Sequence, residues 1–406
     1  MKKIIFHIDV NNAFLSWTAV YLLKKGYKLD IRKIPSIIGG DETKRHGIVL
    51  AKSPIAKRMG IVTAETIYSA KSKCKELQIY EPNFKWYYEQ SNKMYDYLTQ
   101  YTPTIERFSI DECFLDMTGT NLLYENYVEL AYHIKEEIKS KFGFSVNVGI
   151  GNNKLCAKMA SDFEKPDKVH TLFMNEIKDK MWPLPVDELF MCGKKTSSNL
   201  KKYNIVTIGD LANADLKELK EEFKNQADFL KKYANGIDYS EVIPRSSKST
   251  SISVTQTLPF DYEDINKLKE ILFIQSEEVG RQLRGQKEYT NTVTVIYKNN
   301  KFENYTRQVR LDNSTNKTKD IYIAATQILE KTWKKDAIRL IGIRISNFTN
   351  KKERQLSMFD ENETENENNF QQILDDINNK FGKNCVMPAS IKKLNIHVKE
   401  KIPKKI

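Results

Sequence analysis

Apolar positions along the chain switch between two periods, and the switches mark out its elements. Residues 3–9 (Lys-Ile-Ile-Phe-His-Ile-Asp) read as a short buried strand that ends in an acid. Residues 12–25 then read as a helix closed by Gly26. A strand is expected over 48–51, and Ser53-Pro54 opens a short helix that stops at Gly60. Helices follow over 67–78 and, after Pro82, over the tyrosine-rich stretch 87–101. Residues 105–116 (Ile-Glu-Arg-Phe-Ser-Ile-Asp-Glu-Cys-Phe-Leu-Asp) read as two strands around a tight acidic turn. An amphipathic helix over 127–142 leads to a strand at 145–150, Gly151 and a helix over 154–163. Residues 175–238 are helical with short loops and a turn at Gly193, and 241–249 form a linker. Strands near 251–257, 291–298, 305–311 and 338–347 alternate with helices near 263–284 and 318–333, which makes a small α+β unit. After Asn350 the chain turns polar, and residues 360–369 are acidic and Asn-rich without apolar periodicity. Residues 38–42 (Ile-Gly-Gly-Asp-Glu), followed by Thr43, read as an ordinary loop.

Composition narrows the function classes. The 406 residues are 40% hydrophobic and 29% charged, enough for real cores and for several domains. No stretch approaches the roughly 18 apolar residues of a membrane helix, and the apolar start is broken by His7 and Asp9, unlike a secretory leader. Five scattered cysteines without a Cys-x-x-Cys pair suit reduced thiols of a cytoplasmic protein. Five dispersed histidines offer no zinc spacing, so a metal here is expected to be a hard cation on carboxylates. The net charge of +12 suits a polyanionic partner, although a Lys-, Asn- and Ile-rich composition can also arise from an AT-rich genome.

Three carboxylates carry the strongest chemistry: Asp9 at a strand end, and Asp111-Glu112 in a tight turn. If their strands are neighbours, the acids converge on one rim of a sheet. Adjacent acids repel unless a cation compensates them, and paired Mg²⁺ would do so while serving phosphoryl transfer. On spacing alone, an ordinary hairpin turn at Asp111-Glu112 with Asp9 as a strand-end acid is the favoured reading.

The words around these acids are more specific. Ser109-Ile-Asp-Glu-Cys-Phe-Leu-Asp116 resembles the S-I-D-E-A-[FY]-x-D signature of Y-family translesion DNA polymerases. Asp9-Val-Asn-Asn-Ala-Phe14 resembles that family's first motif, and Val148-Gly-Ile-Gly-Asn-Asn-Lys154 through Lys165-Pro166 resembles its third block. The resemblance runs from about residue 3 to 350. It implies an α+β right-hand polymerase: palm 1–10 and 84–172, small fingers 11–83, a helical thumb 173–240 with a helix-hairpin-helix, and an α+β little finger 250–350. It implies two Mg²⁺ held by Asp9, Asp111, Glu112 and the Val10 carbonyl. Phe14 would be the steric gate against a ribose 2′-OH, and Lys165 would meet the triphosphate. In the fingers the family's Tyr-x-x-Arg is replaced by Pro54 and Lys57, and Ala13 replaces a common aromatic. Lys57 keeps charge but loses bidentate geometry, as in the UmuC-like Gram-positive branch.

Residues 186–211 resemble a helix-hairpin-helix in which Gly193, Lys194 and Lys195 would face a DNA phosphate and Met191 stands where a glycine is usual. Gln355-Leu356-Ser-Met358-Phe359 resembles the peptide by which bacterial polymerases dock on the β sliding clamp, in a tail spanning 351–406. The implied reaction is error-prone, template-directed addition of dNTPs to primer-template DNA during DNA repair and SOS mutagenesis, by a monomer in the cytoplasm. A UmuD-like or RecA partner stays open. A catalytically impaired DNA- and clamp-binding accessory protein of the same fold is the alternative, and a different two-metal nuclease or cyclase is the second rival.

Overall fold

The computed structural model describes residues 3–41, 47–244, 249–350, 373–378, 380–381 and 385–386. They fall into two compact units divided between Ser247 and Lys248.

The first unit runs β1 (Ile5–Val10), α1 (Ala13–Lys24), β2 (Ser36–Gly39), β3 (Val49–Lys52), α2 (Pro54–Arg58), α3 (Ile67–Lys73), β4 (Gln78–Tyr80), α4 (Phe84–Leu98), β5 (Ile105–Arg107), β6 (Glu112–Asp116), α5 (Tyr127–Phe142), β7 (Val146–Gly151), α6 (Lys154–Asp162), β8 (Val169–Leu172), α7 (Lys194–Lys202), α8 (Ile208–Asn213), α9 (Leu216–Phe223) and α10 (Gln226–Ala234). Its main sheet has the order β5-β6-β1-β7-β8. The central strand β1 is buried at every position and pairs antiparallel with both β6 and β7. Apolar faces of α4 and α5 cover the sheet, where Phe6, Ile8, Met94, Leu98, Ile134, Ile138 and Val148 form one core. Helix α5 starts where the Asn126 side chain accepts hydrogen bonds from the Val128 and Glu129 N–H groups, and stops at Gly143 in the left-handed conformation. The buried side of α6, through Leu155, Met159 and Ala160, shares a further core with Leu200, Ile208, Leu211 and Leu230 of the helical segment.

Three short strands were not expected. Residues 36–39, read in part as loop, are β2, which pairs antiparallel with β3 and parallel with β4. The expected helix 67–78 ends at Lys73, and Gln78–Tyr80 is strand β4. The third, β8, joins β7 in parallel. Helix α4 starts at Phe84, because the Asn83 side chain accepts from the Trp86 N–H and caps it there. The linker expected over 241–249 is fixed at its start: Val242 is buried against Ile5, Phe114 and Ala157, and the Ile243 N–H donates to Glu106 Oε2 at 2.9 Å.

The second unit comprises β9 (Ser251–Tyr262), α11 (Ile265–Gly285), β10 (Tyr289–Asn299), β11 (Asn304–Thr315), α12 (Thr318–Thr332) and β12 (Ile338–Thr349). Its antiparallel sheet has the order β11-β10-β12-β9, and α11 and α12 bury Leu272, Val279, Ile321 and Leu329 against Val293, Val295, Ile341 and Ile343. Within the expected tail, residues 373–378 are helical, and Arg284 donates to both Asp375 carboxylate oxygens at 2.6 and 2.9 Å. Gln355, Leu356, Met358 and Phe359 lie outside the described residues. Among the described residues, no helix is long and apolar enough to cross a membrane.

Candidate active site

Sheet register gathers the three acids. Asp9, one residue from the end of β1, stands directly opposite Glu112, the first residue of β6. The Val10 N–H donates to the Asp111 carbonyl at 3.0 Å, which anchors the turn that carries the second acid. The Ser109 hydroxyl donates to Asp111 Oδ1 at 2.6 Å and lies 3.3 Å from Glu112 Oε2. Asp9 is 6% exposed, and Asp111 and Glu112 are half-buried. Burial, with the neighbouring Asp9 charge, holds both Asp111 and Glu112 above the ordinary carboxylate range, although the Ser109 and Lys158 hydrogen bonds oppose this.

Two lysines answer that negative charge. Lys158 Nζ donates to Glu112 Oε1 at 2.6 Å and lies 3.3 Å from both Asp9 Oδ2 and Asp162 Oδ2. Lys165 Nζ donates to Asp9 Oδ2 at 2.5 Å and to Asp162 Oδ1 at 2.8 Å. Burial lowers each ammonium's proton affinity, but the carboxylates outweigh it, so both lysines titrate above their ordinary value.

The glycines of Val148-Gly-Ile-Gly bring Lys158 there. A Cβ on Gly149 would stand 2.0 Å from the Ala157 carbonyl oxygen and 2.4 Å from the Ser161 nitrogen, so α6 lies directly on the backbone of β7. His7 fixes the same helix from β1: its Nδ1 is 2.8 Å from the Ser161 hydroxyl, and burial together with Lys158 and Lys165 keeps the ring well below its ordinary pKa and neutral. Buried Asn147 donates to the Ser161 and Glu164 carbonyls at 2.9 and 2.7 Å, accepts from the Asn11 amide at 3.0 Å, and so steadies the loop that carries Lys165.

Among the described residues, no group of three His, Cys, Asp or Glu side chains is arranged to hold an ion as it stands. The donor set is nonetheless all oxygen, anionic and short of positive charge, which fits a hard divalent cation.

The other expected residues are placed around this centre. Phe14 is half-buried in the first turn of α1 and stacks on Tyr87 at 4.9 Å with planes 13° apart. Lys57 is exposed on α2; there Pro54 occupies the first helical position, and the Ser53 hydroxyl accepts from the Ala56 N–H. Asn12, left-handed at φ 49°, donates its side-chain amide to the Lys52 carbonyl at 2.7 Å and ties α1 to β3. Gly193 precedes α7 with Lys194 and Lys195 exposed in its first turn. Met191, where the expected motif has a glycine, adopts the left-handed φ of 68°. Sequence reasoning did not single out Lys158, Asp162, His7 or Asn147. Lys158 and Asp162 lie inside the third motif, as Ala157-Lys158-Met-Ala-Ser-Asp162, but were given no role there; that match and their i, i+4 spacing were the available signals.

The comparisons agree with this geometry. The profile of the impB/mucB/samB family matches residues 8–162, and that of the family's C-terminal domain matches residues 249–358. The chain is 46% identical over 387 residues to a DNA polymerase IV of Clostridium acetobutylicum, covering 95% of this chain and 98% of the relative. It is 34% identical to DNA polymerase IV 2 of Bacillus subtilis, covering 96% and 94%. Among solved structures, a Y-family polymerase chimera of Dbh and Dpo4 superposes with a TM-score of 0.73 at 22% identity, covering 85% of this chain and 98% of that one. The insertion ternary complex of Dbh DNA polymerase gives 0.60 at 23% identity, over the same shares. These likenesses support the family as a whole rather than the UmuC-like branch within it. With the signature acids on one sheet rim, the fold shared with Dbh and both family profiles in place, the chain belongs to the impB/mucB/samB family of Y-family translesion DNA polymerases.

Proposed function

We propose that this chain is an error-prone, template-directed DNA polymerase that extends primers across damaged templates, by attack of the primer 3′-OH on the α-phosphate of a dNTP. The observation that carries it is the Asp9–Glu112 register with Asp111 in the adjoining turn, a three-acid rim in a buried sheet. Asp9, Asp111, Glu112 and the Val10 carbonyl would hold two Mg²⁺, which when bound supply Lewis-acid activation of the 3′-OH and charge neutralisation on the phosphates. The protein's own groups do the rest. Lys165, still 38% exposed, is the one active-site lysine with room to swing toward a triphosphate, and Lys57 adds charge from the fingers. Phe14, stacked on Tyr87, would exclude a 2′-OH by volume.

We assign the palm to 1–10 and 84–172, the fingers to 11–83, the thumb to 173–240, the linker to 241–249 and the little finger to 250–350. In this reading the N–H groups before α7, with Lys194 and Lys195, bind a DNA phosphate. Gln355, Leu356, Met358 and Phe359 dock on a β sliding clamp, and the chain works as a cytoplasmic monomer; a UmuD-like or RecA partner stays open. The full set of three acids disfavours an impaired accessory protein. Extension of a labelled primer on undamaged and abasic templates, with Mg²⁺ and dNTPs, tests the reading. Template-dependent products on both support it, and their absence on the undamaged template refutes it.

A further inference from the structure

Lys158 is the least expected group in the site. A lysine on an amphipathic helix ordinarily sits in water, yet this one is 8% exposed and its ammonium faces three carboxylates. Four acids, Asp9, Asp111, Glu112 and Asp162, stand against two ammonium groups, Lys158 and Lys165, a formal excess of two negative charges. Asp9 Oδ2 is shared between both lysines. The two differ in freedom. Lys165 is partly exposed on a loop, whereas Lys158 rises from a helix turn whose flanking Ala157 and Ser161 are fully buried and pressed onto Gly149. Its side chain is 10% exposed against 38% for Lys165, so its ammonium is the more confined of the two beside Asp9 and Glu112.

We infer that Lys158 is a positioning residue that serves as an internal counter-ion: it holds Asp9 and Glu112 together in the metal-free protein and competes with an incoming divalent cation for the same carboxylate oxygens. This rests on the metal-dependent reading proposed above. An ammonium and a divalent ion cannot both take full use of Glu112 Oε1 and Asp9 Oδ2. A fixed positive charge a few ångströms from a second cation weakens the latter's binding by tenfold or more even when well screened. The site is thereby kept folded without metal and selective for conditions in which the ion is abundant or arrives with nucleotide.

The test is Mn²⁺ binding to the full chain, without DNA or nucleotide, followed by the loss of the free-ion electron paramagnetic resonance signal. Lys158→Met, near in volume but uncharged, should bind Mn²⁺ at least about tenfold more tightly than the native protein. Its melting temperature in EDTA should be lower, and the rise on adding Mn²⁺ larger. A lysine that only supported the fold could not give tighter binding when removed, since damage loosens a site. Lys165→Met, at a side chain 38% exposed, should shift affinity in the same direction by less. Unchanged or weaker Mn²⁺ binding by both variants overturns the inference. Tighter Mn²⁺ binding with no primer extension by the native protein would refute the polymerase reading and leave Lys158's role standing. Normal extension with no shift in Mn²⁺ affinity would do the reverse.

Discussion

Asp111 and Glu112 stand where burial favours their protonated forms. Burial, the first cause, raises the proton affinity of each, and an acid whose folded value is raised stabilises the fold only as pH falls toward that value. The site therefore costs stability. Asp111→Asn keeps an oxygen for the Ser109 hydroxyl and removes a buried charge. Without metal it should raise the melting temperature by about 1–3 °C, in the range that relief of a strained active site gives. A scan in EDTA checks this, and a lower melting temperature would show that the charge is not a burden. The gate reading is separable from stability. Phe14→Ala should keep most dNTP incorporation and raise the ribonucleotide-to-deoxyribonucleotide ratio by about tenfold or more. Single-nucleotide incorporation with matched dNTP and NTP measures it, and an unchanged ratio would place the gate elsewhere. Chemistry at this scale is separated from the buried thiols: Cys113 and Cys156 are pushed up to about 12 by burial, far from a reactive thiolate.

At the scale of elements, the contact of α6 with β7 places Lys158 and Asp162 beside the acids. Gly149→Ala would drive a Cβ into backbone atoms on α6 that cannot rotate away. It should destabilise the protein by about 1–3 kcal/mol or more and lower extension activity as the lysine moves off Glu112. Denaturant unfolding with parallel extension assays tests this, and a silent substitution would mean the helix is not tightly seated. The short elements around α3 hold a second titrating feature. Glu65 is brought down to about 2, first by Lys73 and also by the Val62 N–H and the Ser69 hydroxyl. A depressed acid stabilises above its unfolded value and loses that contribution as pH falls through its folded value. Glu65→Gln should therefore melt below the native protein at pH 7, and the gap should close between about pH 4.5 and pH 2. A gap that persists at pH 2 would contradict the assignment. Long elements with strong periodicity were legible in sequence, as Tyr127–Phe142 is with its Asn126 cap and Gly143 stop. Short β2, β4 and β8 were not, because three or four residues carry no period and become strands only through their neighbours.

For the whole molecule, two units of different make-up were legible as a change in pattern near residue 250, and the order of strands and helices in the second was readable throughout. The site was legible as far as its acids, whose motif wording is distinctive and whose strands prove to be neighbours. Of its two counter-charges Lys165 was named in sequence, whereas Lys158 was given no role, since a lysine's burial is decided by how closely a helix seats on a sheet, a fact that Gly149 encodes only in three dimensions. The same limit applied to Met191, whose left-handed backbone replaces an expected glycine. The central claim is that these parts make a DNA polymerase whose chemistry depends on the rim of acids. Primer extension on a defined template, with Mg²⁺ and four dNTPs, compared between the native protein and Glu112→Gln at equal DNA occupancy, tests it most directly. The account predicts template-directed products from the native protein and a rate at least about 10²–10³-fold lower for Glu112→Gln, with primer-template binding within about twofold of native. Near-normal extension by Glu112→Gln, or none by the native protein, would contradict it.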